Sequence, residues 1–445
     1  MRKFPNAMVI MLGFILFVSI LTYIIPQGKY ERIKDPALDY ETVVPGSFTL
    51  IQPTRLSVFE IFLSIPEGIA NAAELIVLIF LLGGCFYVIE KTGALKEGVV
   101  YMTEFLKGKE EISMIIVSLI FATGGALNGL QEEVIAMTPV LIYFGRRLGY
   151  NTFVAVAISF GAAILGGAFS PVNPFSVGIA LKAAGLPFPS ASVFRMVVFL
   201  IAFILWVYVI IRYANKNRIE KDQQQEDSQS SLSIRNLIIL GLTGAAFGLN
   251  IYGILWLEWG FNEMSAEFFV LGIVIGLIGK LGFNGTCEAY IQGFKELTFA
   301  VILLGLANSI TIILEKGMIT DTIIYGLFTP LQYFPKSLAA VSMMVSQSLL
   351  HFPVSSYSGQ ALMTMPILAP LSDLIGLSRQ VVVLAYQYGA VMMDILIPTN
   401  GALMAILAVA GISYNDWFRF IIKPLLFLFG LCAIALVVAV FAGIK

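Results

Sequence analysis

The sequence predicts an all-α polytopic membrane protein, organised as an inverted repeat with two re-entrant hairpins and two broken helices. Three observations carry this. The 445 residues are 58% hydrophobic and only 12% charged, with a mean hydropathy of +0.89, whereas a soluble domain carries about 25% charged residues. Two long apolar segments are each interrupted by a proline–asparagine motif, Ser170-Pro171-Val172-Asn173-Pro174 and Ile397-Pro398-Thr399-Asn400-Gly401. Pro171 and Pro398 lie 227 residues apart, and so do Asn173 and Asn400. Proline lacks an N–H and clashes with the preceding turn, so no helix runs unbroken through either motif. In lipid, the freed backbone groups must be satisfied by protein, water or a ligand. The continuous apolar runs exclude a barrel. A net charge of −1 gives no nucleic-acid footprint.

Taken in order, the chain opens with Arg2 and Lys3 and then an apolar span over residues 7–26. No small-residue cleavage site follows, so this reads as an uncleaved first helix with a cytoplasmic N-terminus. Residues 27–55 are polar and read as outside. Residues 59–69 are amphipathic and read as interfacial. A span over 72–90 ends at Glu90-Lys91, and 95–109 reads as an interfacial arm. Residues 112–147 split into two apolar arms around a polar centre. Each arm falls short of the roughly 20 residues a crossing needs, so they predict a re-entrant hairpin with residues 128–133 at its tip. The first broken helix covers 152–186, and a span covers 194–213. Residues 214–234 are a polar, charged linker whose Lys216, Arg218 and Lys221 place it in the cytoplasm.

This divides the chain into a first half, 1–213, the linker, and a second half, 235–445. The second half predicts spans at 236–254 and 268–279, an interfacial stretch at 288–295, and a span at 297–314. A second hairpin follows at 338–374 with its tip at 351–360, then a second broken helix at 381–410 and a last span at 418–441. Matched landmarks tie the halves together: Glu60 with Glu288, Glu90-Lys91 with Glu315-Lys316, Pro139 with Pro366, Gly149 with Gly376, and Phe194-Arg195 with Phe418-Arg419. Counting crossings brings the two hairpins in from opposite faces, which is an inverted-topology repeat, and paired breaks of this kind point to a transporter site.

Ionisable groups in spans are costly, about 2.5–3.5 kcal/mol for Asp at a helix centre, so each needs a reason. The deep candidates are Glu132 and Glu133 at the first tip, Asp394 before Pro398, and His351, the one histidine. Asn128, Gln131, Ser355 and Ser358 add polar groups at the tips. Asn173, Ser176, Thr399 and Asn400 add them at the breaks. Helix N-termini there suit a carboxylate, and the oxygens around Ser170, Asn173, Thr399 and Asn400 suit Na+ or a substrate ammonium. Structural roles fit some of these residues equally. Glu132 or Glu133 caps the helix starting at Val134, Asp394 bonds between helices, and His351 is a satisfied interface histidine. Arg195 and Arg419 read as snorkelling anchors. Cys85, Cys287 and Cys432 read as apolar filler, with no metal or disulfide spacing.

The run Thr22-Tyr23-Ile24-Ile25-Pro26-Gln27-Gly28-Lys29-Tyr30-Glu31-Arg32, with Gly129-Leu130-Gln131-Glu132-Glu133 and Ser170-Pro171-Val172-Asn173-Pro174, resembles the YfcC family. These are bacterial inner-membrane proteins described as basic amino acid antiporters. They group with the DcuC dicarboxylate and ArcD arginine/ornithine carriers of the ion transporter superfamily. The resemblance implies a scaffold domain, a transport domain moving as an elevator, a homodimer, and a substrate held among residues 128–133, 170–174, 351–360 and 398–401.

The expected function is secondary transport of a basic amino acid of the arginine, ornithine or lysine type, by exchange or coupling to Na+ or H+. The acidic residues favour that cargo. The alternative is a Na+- or H+-coupled carboxylate or dicarboxylate carrier. No cofactor is expected. The sequence holds no Walker motif, H-E-x-x-H or G-x-S-x-G, so neither ATP drive nor a hydrolase is expected.

Overall fold

The computed structural model describes residues 7–35, 40–52, 55–105, 108–220, 232–257 and 259–444. The chain is mostly helical. Among the described residues, eight helices are long and apolar enough to cross a membrane.

The first half starts with α1 (Ala7–Ile24). Four short strands, β1 (Gly28–Lys29), β2 (Arg32–Asp35), β3 (Tyr40–Val43) and β4 (Thr49–Leu50), form two antiparallel pairs, β1 with β4 and β2 with β3. In α2 (Val58–Asn71), Ser57 and Glu60 form a reciprocal capping box. Next come α3 (Ala73–Lys91), α4 (Ala94–Phe105), α5 (Glu110–Asn128) and α6 (Glu133–Arg147). The first broken helix is α7 (Thr152–Val156), a π turn at Ala157–Gly161, α8 (Ala162–Phe169), the interruption, a second π turn at Pro174–Gly178, and α9 (Ile179–Ala183). The half closes with α10 (Ser192–Lys216).

The second half holds α11 (Ile234–Trp256), α12 (Phe261–Ile278), α13 (Gly282–Lys316), α14 (Thr320–Phe328), α15 (Lys336–His351) and α16 (Tyr357–Leu374). Its broken helix is α17 (Arg379–Tyr386), a π turn at Gln387–Val391, the interruption, and α18 (Gly401–Val409). The chain ends with α19 (Tyr414–Phe441).

The turn geometry recurs between the halves. After α6, Gly149 takes φ +81° and Tyr150 N donates back to Gly145 O. After α16, Gly376 takes φ +67° and Leu377 N donates to Ser372 O in the same way. Asn151 and Ser378 then cap α7 and α17. Gly185 and Gly411 end α9 and α18 with matching left-handed turns. A left-handed residue at a helix C-terminus favours glycine, which has no Cβ to clash.

The core lies around the first broken helix. The segment Thr152–Ala183 has an 89% buried window, against 39% for the flanking α10 and α19. α5 packs on α8 at unusually close range. A Cβ on Gly125 would sit 1.9 Å from Ala163 O, and one on Gly166 would sit 2.0 Å from Ala122 O. α13 is the second axis, packed on α1, α2, α3 and α18.

Five expectations need correction. Residues 282–316 form one unbroken 35-residue helix, not an interfacial stretch plus a span. No proline interrupts it, and Gly293 serves close packing against the backbone of Gly83 and Gly84. α5 runs through Gly124-Gly125 to Asn128, so the first hairpin arm has the length of a crossing, because these glycines pack helices and do not end one. The second interruption begins at Asp394, not Ile397. Arg195 is 1% exposed and so is no snorkelling anchor, whereas Arg419 is exposed. Cys287 is exposed, unlike Cys85 and Cys432. Of the linker 214–234, residues 221–231 lie outside the described residues, while α10 extends to Lys216 and α11 begins at Ile234.

Candidate functional site

The two interruptions differ in how their backbone is satisfied. At the first, Asn173 is fully buried. Its Oδ1 accepts from Phe175 N and Ser176 N at 2.9 and 2.8 Å, and its Nδ2 donates to Gly125 O at 2.8 Å. The Ser170 hydroxyl donates to Ala126 O at 2.6 Å and accepts from Val172 N and Asn173 N. The exposed carbonyls at the end of α8 are met from the other half of the chain. Gln387 Nε2 donates to Gly167 O at 3.2 Å and Ser170 O at 2.8 Å. Ser176 Oγ donates to Gly167 O at 3.2 Å, and the buried Arg195 donates to Gln387 Oε1. This interruption is sealed by protein, as buried backbone in lipid requires.

The second interruption opens onto a cavity of about 290 Å³, near the lower end of small-molecule sites at roughly 300–1,000 Å³. Both hairpin turns also reach it. The first supplies Gln131, Glu132 and Glu133, and the second supplies Ser355, Tyr357 and Ser358. From the interruption come Asp394 and Asn400, and α13 adds Asn308. Among the described residues, those that line it include three carboxylates and no lysine or arginine.

Hydrogen bonds knit these groups across the halves. Gln131 Nε2 donates to Asp394 Oδ2 at 3.2 Å and to the Tyr357 hydroxyl. Asn400 Nδ2 donates to Gln131 Oε1 at 3.3 Å while its Oδ1 caps α18 through Leu403 N at 2.7 Å. Glu133 accepts from Gln131 N at 3.2 Å, which fixes the turn ahead of α6. Thr399 Oγ1 donates to Phe352 O at 2.6 Å, and Ser355 Oγ donates to Thr399 O at 3.3 Å. His351 lies beneath the cavity, bonded to Gln360 and Asp394.

Of the residues singled out in the sequence, Gln131, Glu132, Glu133, Ser355, Ser358, Asp394 and Asn400 line the cavity. Asn173, Ser176 and Thr399 are turned into protein bonds beside it. Ser170 and Asn173 spend their side-chain oxygens on the sealed interruption. Asn128 closes α5, and its side chain lies outside the described residues. Sequence reasoning missed Asn308, although Asn308-Ser309 stands out within an apolar run. It also missed Gln387, whose signal was an amide between two tyrosines in an apolar run that ends at Asp394. Among the described residues, no cluster of His, Cys, Asp and Glu could hold a metal ion. A separate cavity of about 320 Å³ lies beside Lys29, Arg32, Glu315 and Asp321 and carries both signs of charge. There Arg32 and Asp321 already pair at 2.7 Å.

The chain is similar to several known proteins. Residues 4–441 match the family model described as DcuC, C4-dicarboxylate anaerobic carrier. An uncharacterized protein of Haemophilus influenzae (strain ATCC 51907 / DSM 11121 / KW20 / Rd) is 30% identical over 98% of this chain and 97% of its own. The Escherichia coli K12 protein named "Putative basic amino acid antiporter YfcC" is 27% identical over 93% of this chain and 92% of its own. Two solved structures align over nearly the whole length. Neisseria gonorrhoeae MtrF, of a class of antimetabolite efflux pumps, has TM-score 0.47 at 17% identity, covering 99% of this chain and 96% of its own. The Alcanivorax borkumensis YdaH transporter has TM-score 0.46 at 14% identity, covering 99% of each chain.

Proposed function

As this chain belongs to the C4-dicarboxylate anaerobic carrier (DcuC) family, we propose that it is a secondary transporter of basic amino acids, working by exchange or ion coupling. One observation carries the choice of cargo. The cavity presents Glu132, Glu133 and Asp394 with no lysine or arginine among its lining residues. A dianion brought there would meet three carboxylates in a medium where charges interact strongly. A guanidinium or ammonium group finds partners instead. The α-carboxylate of the same amino acid is served by the positive dipole end of α16, where Ser356 Oγ caps Gly359 N ahead of Tyr357 and Ser358 at the cavity wall. The name carried by the Escherichia coli relative agrees with this cargo.

The mechanism we attach to this reading is an elevator. The two halves are inverted repeats, and α5–α6 and α15–α16 enter the membrane as hairpins from opposite faces, with α5 long enough to cross and turning back at the left-handed Gly129. A transport unit built on both broken helices slides against a scaffold in a homodimer of the bacterial inner membrane, with the N-terminus in the cytoplasm. The recurring turns at Gly149 and Gly376, and at Gly185 and Gly411, support the repeat.

Counterflow in proteoliposomes tests the cargo. Labelled arginine trapped inside should leave faster when arginine, ornithine or lysine is outside, and succinate should have no effect. Acceleration by succinate and not by the basic amino acids selects the dicarboxylate reading, which the family description favours.

A further inference from the structure

His351 closes α15, is fully buried, and is the only histidine in the chain. Its Nδ1 lies 2.6 Å from Gln360 Oε1, and its Nε2 lies 2.9 Å from Asp394 Oδ1. The neighbouring bonds decide where its protons sit. Gln360 Nε2 lies 2.9 Å from the backbone oxygen of Gln347, which can only accept. The Gln360 amide must therefore turn its own oxygen toward the imidazole. The chain is anchored one step further, since Gln347 Nε2 donates to Thr364 Oγ1 at 2.9 Å and that hydroxyl donates to Gln360 O at 2.8 Å. An amide oxygen facing Nδ1 requires a hydrogen on Nδ1.

With Nδ1–H fixed, Nε2 and Asp394 Oδ1 hold one proton between them. Imidazolium facing carboxylate, and neutral imidazole facing carboxylic acid, are two positions of that proton, and both leave the pair neutral. Its removal leaves a neutral imidazole and a carboxylate, with net charge −1 and two lone pairs opposed across the gap. The shared proton therefore belongs to the pair and not to either residue alone. The other carboxylate oxygen, Oδ2, accepts from Gln131 Nε2 and belongs to the cavity lining. One carboxylate thus faces the proton on one side and the cargo on the other.

The geometry points to His351–Asp394 as a proton-binding site that exchanges with a cationic group in the acidic cavity, making the carrier a proton/cation antiporter. This rests on the basic-amino-acid reading of the cavity. In the exchange step, the shared proton leaves its N–H or O–H bond and passes to a cavity water as hydronium. The atom that held the proton, Nε2 or Asp394 Oδ1, keeps the electron pair, and the Asp394 carboxylate takes the incoming ammonium or guanidinium as its partner. The groups facing the pair suit this. From α16, Tyr357 stacks on the imidazole at 5.8 Å between centroids with its hydroxyl near Asp394. From α17, the Tyr386 hydroxyl donates to Tyr357 O. Glu132 and Glu133 lie across the same cavity. A cation that enters therefore meets further carboxylates beside Asp394.

The single histidine makes the test direct. Full-length protein, labelled with 15N-histidine and purified with a tag that contains no histidine, reports one imidazole by NMR. Nδ1 should stay protonated between about pH 5 and pH 9, while Nε2 loses its proton as pH rises. At fixed pH, adding arginine should shift Nε2 to its unprotonated position and release about one proton per arginine bound into weakly buffered solution. In Asp394→Asn, Nε2 should stay unprotonated throughout, with no proton release. Nδ1 found unprotonated, or Nε2 unmoved by pH, overturns the site. Labelled arginine that binds without moving Nε2 overturns the proton exchange alone. If arginine, ornithine and lysine all fail to bind and succinate binds instead, the cargo reading and this inference fall together.

Discussion

Gly125 and Gly166 set how close α5 and α8 can come, because each places bare backbone where any side chain would strike a carbonyl. The contrast is Gly241 in α11, which has nothing within 4 Å of an added Cβ. Gly125→Ala should therefore force the helices apart, and overpacking a close-packed core costs about 1–3 kcal/mol or more. Gly241→Ala gains helix propensity of up to about 1 kcal/mol at no steric cost. Thermal unfolding in detergent should show a lower midpoint for the first variant and an equal or higher one for the second. Equal midpoints for both would mean that the close approach is not needed. Arg195 shows another residue-scale choice. Its charge is buried against a glutamine side chain and the Ser190 backbone oxygen, where it supports the amide that holds the α8 carbonyls.

At the scale of elements, the two interrupted helices carry the same asparagine in different employment. Asn173 caps the π turn after the first interruption and holds α5 by a bond to Gly125 O. Asn400 caps α18 and reaches Gln131 in the cavity wall. Asn173→Ala removes a cap worth about 1 kcal/mol and a hydrogen bond worth about 0.5–1.5 kcal/mol, leaving Gly125 O with the bond from Gly129 N. It should lower the unfolding midpoint clearly. Asn400→Ala should unfold nearer the wild-type temperature and weaken arginine binding more, measured by scintillation with labelled arginine. The reverse ordering of the two variants would place the cargo at the first interruption.

At the scale of the whole molecule, alternating access predicts that the cavity meets water on one face at a time. Cys85 and Cys432 are buried and Cys287 is exposed, so Cys287→Ser provides a quiet background. Ser355→Cys in that background should react with a membrane-impermeant thiol reagent from one side of oriented vesicles, and saturating arginine should slow the reaction severalfold. Equal reaction from both sides at once would indicate an open pore and not a carrier.

The membrane class, the two interruptions and their spacing, and the acidic tip were legible in the sequence, because lipid permits few alternatives. Long apolar runs must be helices, prolines must break them, and a carboxylate in such a run must have a partner. The sequence by itself also determined the repeating turns, since Gly149, Gly185, Gly376 and Gly411 mark left-handed helix ends through local backbone geometry alone. It misjudged residues 282–316, where tertiary packing and not local propensity holds one long helix together. Only the tertiary structure decided which interruption is sealed and which is open. That outcome depends on partners far away in the chain: Gln387 for Ser170, and Gln131 for Asp394 and Asn400. A hydrogen bond between residues hundreds of positions apart leaves no periodic trace, so the sealing of one break and the opening of the other appear only once the helices are packed.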